Sequence, residues 1–104
     1  MGGGEGPSRR TPAAVKIVLR PAAEQDIAEA MTWYDTQSQG LGDGFLSEVE
    51  ACFARILTRP DRYPVVYGSF RRALVRRFPY LVYFRVDADE VLVFAVYHQR
   101  RNPA

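Results

Sequence analysis

The chain has 104 residues, of which 47% are hydrophobic and 25% charged, with a formal net charge of +2. That composition supports one small folded domain and excludes a collagen-like or wholly disordered chain. No stretch reaches the roughly 18 apolar residues of a membrane span, the single cysteine cannot form an internal disulfide, and no Cys/His cluster has zinc-site spacing. The expected setting is therefore a reducing cytoplasm, with no metal and no cofactor.

Residues 1–14 carry four of the eight glycines and two of the seven prolines. They show neither helical nor alternating apolar periodicity and are expected to form a flexible tail ahead of a single domain spanning 15–104. The β-branched run Val15-Lys-Ile-Val-Leu-Arg20 predicts a first strand, stopped by Pro21, which has no N–H to give to a ladder. From Ala22 to about Ser38, Ala23, Ile27, Ala30, Met31 and Tyr34 recur at three- and four-residue steps, the signature of an amphipathic helix. Pro21 suits its first turn, and Glu24 and Asp26 complement the positive end of its macrodipole. Gly40, Gly42 and Gly44 interrupt the pattern. A second helix is expected from Asp43 to before Pro60, with Phe45, Val49, Cys52, Phe53 and Ile56 on one stripe.

A turn-rich connection from Asp61 to Gly68 leads to three predicted strands, Arg71 to Phe78, Tyr80 to Asp87 and Glu90 to His98, the last two joined by a tight turn at Asp87-Ala-Asp89. The last two strands are apolar on both parities: Tyr80, Val82, Phe84 and Val86 against Leu81 and Tyr83, then Val91, Val93 and Ala95 against Leu92, Phe94 and Val96. Such strands must be covered on both faces, and a two-helix hairpin covers one. The other face is expected to dock a partner. The expected class is α+β, a helical hairpin on one face of an antiparallel sheet in the order β-α-α-β-β-β.

Charge is also unevenly placed. Pro21 to Glu50 contains seven acids and no Lys or Arg, whereas Phe70 to the C-terminus contains seven arginines against Asp87, Asp89 and Glu90. A dipolar chain of this kind attracts anionic partners to one face while its net charge stays small. Cys52 lies on the apolar stripe and reads as a small buried hydrophobe. Trp33 and Tyr34 read first as core and core-rim packing, with an interface role as the alternative.

In order and spacing, Arg20-Pro-Ala-Ala-Glu-Gln-Asp-Ile27 with Trp33-Tyr34, Gly40-Leu-Gly-Asp-Gly-Phe-Leu46, Pro60-Asp-Arg-Tyr-Pro64, Arg71-Arg-Ala-Leu-Val-Arg-Arg-Phe-Pro-Tyr80 and His98-Gln-Arg-Arg101 resemble the RelE/ParE superfamily of bacterial type II toxins. The likeness runs from about Val15 to Pro103. It implies one half of a toxin-antitoxin pair, held inactive in a hetero-oligomer by a small antitoxin whose C-terminal segment wraps the toxin. Trp33, Tyr80, Val82 and Phe84 are the candidate antitoxin contacts.

The two branches of the superfamily imply different chemistry. Ribonuclease members cut mRNA on the ribosome by attack of a ribose 2′-hydroxyl on the adjacent phosphate, which needs a base, an acid and cations for the phosphorane. Here the candidates are His98, whose unperturbed pKa lies near neutrality, with Arg72, Arg76 and Arg100. Tyr97 adjoins His98 but points to the opposite face of a regular strand. Where that branch keeps Lys or Arg, this chain has Ala73-Leu74-Val75 and Tyr80-Leu81-Val82. The gyrase-poisoning branch needs a surface and no base, and the helical-hairpin motifs are closer to it. Its candidate target contacts are Arg85, Tyr97, Arg100 and Arg101. A decayed toxin that only binds its antitoxin is the third reading.

Overall fold

The computed structural model describes residues 16–100. The proposed tail at 1–14 and the candidate Arg101 lie outside these. In chain order the elements are β1 (Lys16–Leu19), α1 (Pro21–Gln37), α2 (Leu41–Thr58), a 3₁₀ turn (Pro60–Arg62), β2 (Val65–Tyr67), β3 (Phe70–Leu74), β4 (Tyr80–Asp87) and β5 (Glu90–His98). The strands form one sheet in the order β1-β5-β4-β3-β2, with α1 and α2 packed on one face.

The expected helical hairpin on a sheet is present, but the sheet is mixed rather than antiparallel. β1 runs parallel to β5, with Ile17 opposite Val91 and Leu19 opposite Val93, whereas the other neighbours are antiparallel. The β1-α1-α2 crossover returns the chain far enough to allow this parallel pairing, and the direction of pairing is not written in a local apolar run. The segment 61–68 is also more ordered than expected, because it holds the 3₁₀ turn and the three-residue β2. The strand expected to reach Phe78 ends at Leu74. Beyond it Arg77 adopts a left-handed φ of 71°, and Val75 and Phe78 turn inward, 5% and 8% exposed.

Local chemistry explains the helix ends. Arg20, extended as a residue before proline must be, closes β1 by donating its N–H to the carbonyl of Val93 at 2.9 Å, and its own carbonyl receives the N–H groups of Ala23 and Glu24. Gly40 takes a left-handed φ of 88° between the helices. The N–H of Gly42 then donates to the Asp35 carboxylate at 2.8 Å, so a side chain of α1 satisfies an early donor of α2.

The core lies between the hairpin and one face of the sheet. Ala23, Ile27, Ala30 and Tyr34 of α1 and Phe45, Val49, Cys52 and Ile56 of α2 meet Ala73, Val82, Phe84, Val91, Val93 and Val96. At one end Phe45 stacks on Tyr34 at 5.5 Å and meets Phe78 and Tyr80 edge-on at 5.3 and 4.8 Å. Phe45 is fully buried, and burial of one such ring contributes about 1.5–3 kcal/mol.

One irregularity decides which side chains face outward. Tyr83 pairs with Ala95 and Phe84 with Val93, so Phe94 is an extra residue in β5. Before this bulge the odd residues Val91 and Val93 enter the core; after it the even residue Val96 does.

Candidate functional site

The sheet's second face is built from the residues that the bulge and the alternation turn away from the helices. Leu81 and Tyr83 of β4 lie beside Leu92, Phe94 and Tyr97 of β5, with Phe70 and Leu74 of β3 alongside. Leu81 is 8% exposed yet belongs to no cluster with the helix-side core, because its neighbours on this second face cover it. The remainder are half-buried, apart from Leu74, which is 59% exposed. Tyr83 and Tyr97 rings lie 5.9 Å apart.

Arginines are laid over this apolar surface. The Arg85 guanidinium sits 5.2 Å from the Phe94 ring centre and 5.8 Å from that of Phe70, and Arg20, between β1 and α1, approaches Phe94 at 5.5 Å. Phe70 and Phe94 themselves meet edge-on at 5.0 Å. Each guanidinium lies over an aromatic ring, an arrangement suited to an amphipathic partner.

A groove of about 480 Å³ opens between α1 and the end of β5, lined by Asp26, Glu29, Trp33, Tyr80, Tyr97 and His98. It exists because β1 pairs only with residues 90–93, leaving the later part of β5 without a strand on that side among the described residues. Asp26 fills part of the gap, its carboxylate accepting the Val96 N–H at 2.9 Å. Burial pushes the Asp26 pKa up, the Val96 hydrogen bond opposes that rise, and nearby Glu29 adds to it. His98 sits edge-on to Tyr80 at 5.1 Å, and its Nδ1 accepts the backbone N–H of Arg100 at 3.0 Å.

A second cleft, of about 430 Å³, lies on the other side of the molecule's sheet order, against β3. Arg55 of α2, Arg62 of the 3₁₀ turn, and Arg72 and Arg76 on and after β3 converge on it, with Tyr63 and Leu74. Salt bridges among the described residues involve Lys16, Arg59 and Arg77, not these four. Arg71, the neighbour of Arg72 on the opposite parity, turns toward the helices and donates to the carbonyls of Asp61 and Tyr63.

The structure therefore divides the residues singled out from the sequence. Trp33, Tyr80, Tyr97 and His98 share the first groove, whereas Arg72 and Arg76 line the second, so the set proposed for RNA cleavage is not gathered in one cavity. Arg100 reaches His98 through its backbone rather than its guanidinium. Tyr97 and His98 border one groove despite their opposite directions, because the groove wraps the strand's uncovered edge. Arg85 lies on the open face.

The assignment of Tyr80, Val82 and Phe84 to a partner-binding face is corrected. All three point at the hairpin; Val82 and Phe84 are 0% exposed, and Tyr80, at 4%, shows only an edge to the first groove. The alternate set Leu81 and Tyr83 occupies the open face instead. Arg20, Phe70 and Phe94 were missed. The alternation along Phe70-Arg-Arg-Ala-Leu74 could have placed Phe70 with Arg72 and Leu74, but no sequence signal marks the bulge at Phe94.

No helix among the described residues is long and apolar enough to cross a membrane. No curated protein matches the chain. Among solved structures, the chromosomal ParDE TA system from P. aeruginosa contains a chain that superposes with a TM-score of 0.71 at 13% sequence identity, covering 84% of this chain and 96% of that one. At that identity the likeness establishes the fold: two helices packed on one face of an open five-stranded mixed sheet. The family model for the ParE toxin of the type II toxin-antitoxin system, parDE, matches residues 17–103, almost the whole of the folded region, and the chain belongs to that family.

Proposed function

We propose that the protein is the growth-inhibiting toxin of a type II toxin-antitoxin pair in the bacterial cytoplasm, that a cognate antitoxin neutralises it, and that its target is DNA gyrase. The observation that carries this reading is the apolar second face of the sheet, on which Arg20 lies over Phe94 and Arg85 over both Phe94 and Phe70. A face of that kind gains from a protein partner that buries the rings and pairs with the arginines. Poisoning an enzyme by occupying it requires a surface of this sort and no catalytic base. Two further observations favour binding over RNA cleavage: His98 and the Arg72–Arg76 pair line separate cavities, and Nδ1 of His98 is engaged as an acceptor. The solved ParDE TA system supports an antitoxin as the neutralising partner.

Inducible expression in bacteria, with and without the antitoxin, tests the reading. Growth arrest with loss of plasmid supercoiling, reversed by the antitoxin, is the expected result. Arrest with cleaved transcripts and intact supercoiling would replace gyrase with mRNA as the target. Absence of arrest would leave a toxin that only binds its antitoxin.

A further inference from the structure

The groove between α1 and the uncovered edge of β5 takes no part in the proposed function, and its polar groups are unevenly satisfied. Tyr80 borders it and is only 4% exposed, yet its phenolic hydroxyl has no hydrogen-bond partner among the described residues. The neighbours of its ring are other rings, Phe45 at 4.8 Å, His98 at 5.1 Å and Tyr34 at 6.1 Å. A buried polar group without a partner is costly, and nearly all in folded proteins have one. The groove is the side from which a partner for this hydroxyl can enter.

The helical wall of the groove narrows the chemistry. Asp26, Glu29, Ala30 and Trp33 follow one another at three- and four-residue steps, so they share a face of α1. One Asp26 carboxylate oxygen accepts the Val96 N–H and one Glu29 oxygen accepts the Gln25 amide, both at 2.9 Å. The second oxygen of each accepts nothing from a described residue. Neither carboxylate forms a salt bridge with a described residue, and no Lys or Arg occurs between Pro21 and Glu50. Burial chiefly, and the Glu29 charge in addition, disfavour the ionised Asp26 carboxylate, and a cation beside the pair offsets both. Trp33, 45% exposed and about 10 Å from Asp26 along the helix axis, adds an indole to the same groove.

An anion is repelled by the two carboxylates, and a neutral apolar molecule leaves them and the Tyr80 hydroxyl unpaired. A guanidinium or ammonium group gives several N–H donors and is attracted both to carboxylates and to aromatic faces. We infer that this groove is a binding site for a small organic cation, a guanidinium or ammonium group on a short apolar stem. Its N–H groups reach the Tyr80 oxygen and the spare oxygens of Asp26 and Glu29, and its stem lies on Trp33. A free amine and the side chain of an arginine or lysine in another protein present this same chemistry.

Trp33 is the one tryptophan of the chain and borders the groove, so its emission reports on occupancy. The test titrates the full-length protein with n-butylguanidinium, with its neutral isostere n-butylurea and with a blocked arginine amide, following Trp33 emission and equilibrium dialysis. The expected result is saturable binding of the guanidinium, about tenfold or more tighter than that of the urea. Tyr80→Phe keeps the ring and removes only the unpartnered hydroxyl. It should unfold at the parent's urea concentration and bind the guanidinium about three- to tenfold more weakly. Glu29→Gln, at an exposed position, should weaken binding by a similar factor and serves alone if Tyr80→Phe does not fold. Tighter binding of the blocked arginine than of n-butylguanidinium assigns the site to a protein side chain, and the reverse order to a free amine. Absence of saturable binding by both readouts, equal binding of the urea, or unchanged affinity in the folded variants would overturn the inference.

Discussion

The N–H of Val96 donates to the carboxylate of Asp26 at 2.9 Å, which ties the second turn of α1 to the part of β5 that has lost its strand neighbour. Asp26 thus caps an open sheet edge with a side chain. The bond favours the ionised form, yet desolvation by burial outweighs it, and the pKa is raised above its ordinary value of 3.8. The folded chain therefore holds this proton more tightly than the unfolded chain does. In the Asp26 contribution, stability is lost as pH rises through the folded pKa and regained as pH falls toward the unfolded value.

Asp26→Asn retains an oxygen acceptor for Val96 and removes the partly buried charge. In urea titrations this variant should match or exceed the parent's stability at pH 7, with the difference shrinking toward pH 4. Asp26→Ala removes the acceptor and should cost about 1 kcal/mol at both pH values. A difference between the Asn variant and the parent that grows on acidification would contradict the assignment.

Two glycines of α2 should respond oppositely to the same substitution. A Cβ on Gly42 would lie 2.5 Å from the Met31 carbonyl oxygen and 2.9 Å from the Asp35 carboxylate, whereas a Cβ on Gly44 would meet nothing within 4 Å. Gly42→Ala must push the helices apart or break the Asp35 bond and should destabilise by about 1–3 kcal/mol. Gly44→Ala, in an unstrained helical position, should stabilise by about 0.5–1 kcal/mol. Chemical denaturation of the two variants side by side checks both signs.

Cys52 is fully buried beneath β3, its thiol 3.6 Å from the Leu74 carbonyl, and burial pushes its pKa up. An aromatic disulfide reagent should therefore label the native protein only at the rate at which the core opens, and label rapidly in denaturant. Fast labelling under native conditions would place Cys52 at an accessible surface and contradict the packing of α2 on β3.

Much of this architecture was legible in the residues. The helical steps from Ala23 to Tyr34 and from Phe45 to Ile56 are the stripes that now face the sheet, and the double apolar parity of β4 and β5 identified a sheet with two faces to cover. The same double parity concealed which face was which. Tyr80, Val82 and Phe84 look no different in composition from Leu81, Tyr83 and their neighbours, so alternation alone cannot say which set lies under the helices. The bulge at Phe94 then exchanges the parity within β5, and the left-handed turn at Arg77 ends β3 early, both without a glycine to mark them. The parallel partner of β1 and the gathering of Arg55, Arg62, Arg72 and Arg76 are products of tertiary structure, which brings together residues far apart in the chain.

The proposed function places a second protein on the open face of the sheet, centred on Leu81, Tyr83, Phe94 and Tyr97. Hydroxyl-radical footprinting of the toxin alone and bound to its antitoxin measures this directly. Strong protection of Tyr83, Phe94 and Tyr97 is expected in the complex relative to free toxin. Unchanged oxidation of those three rings in a complex shown to be fully formed would contradict it.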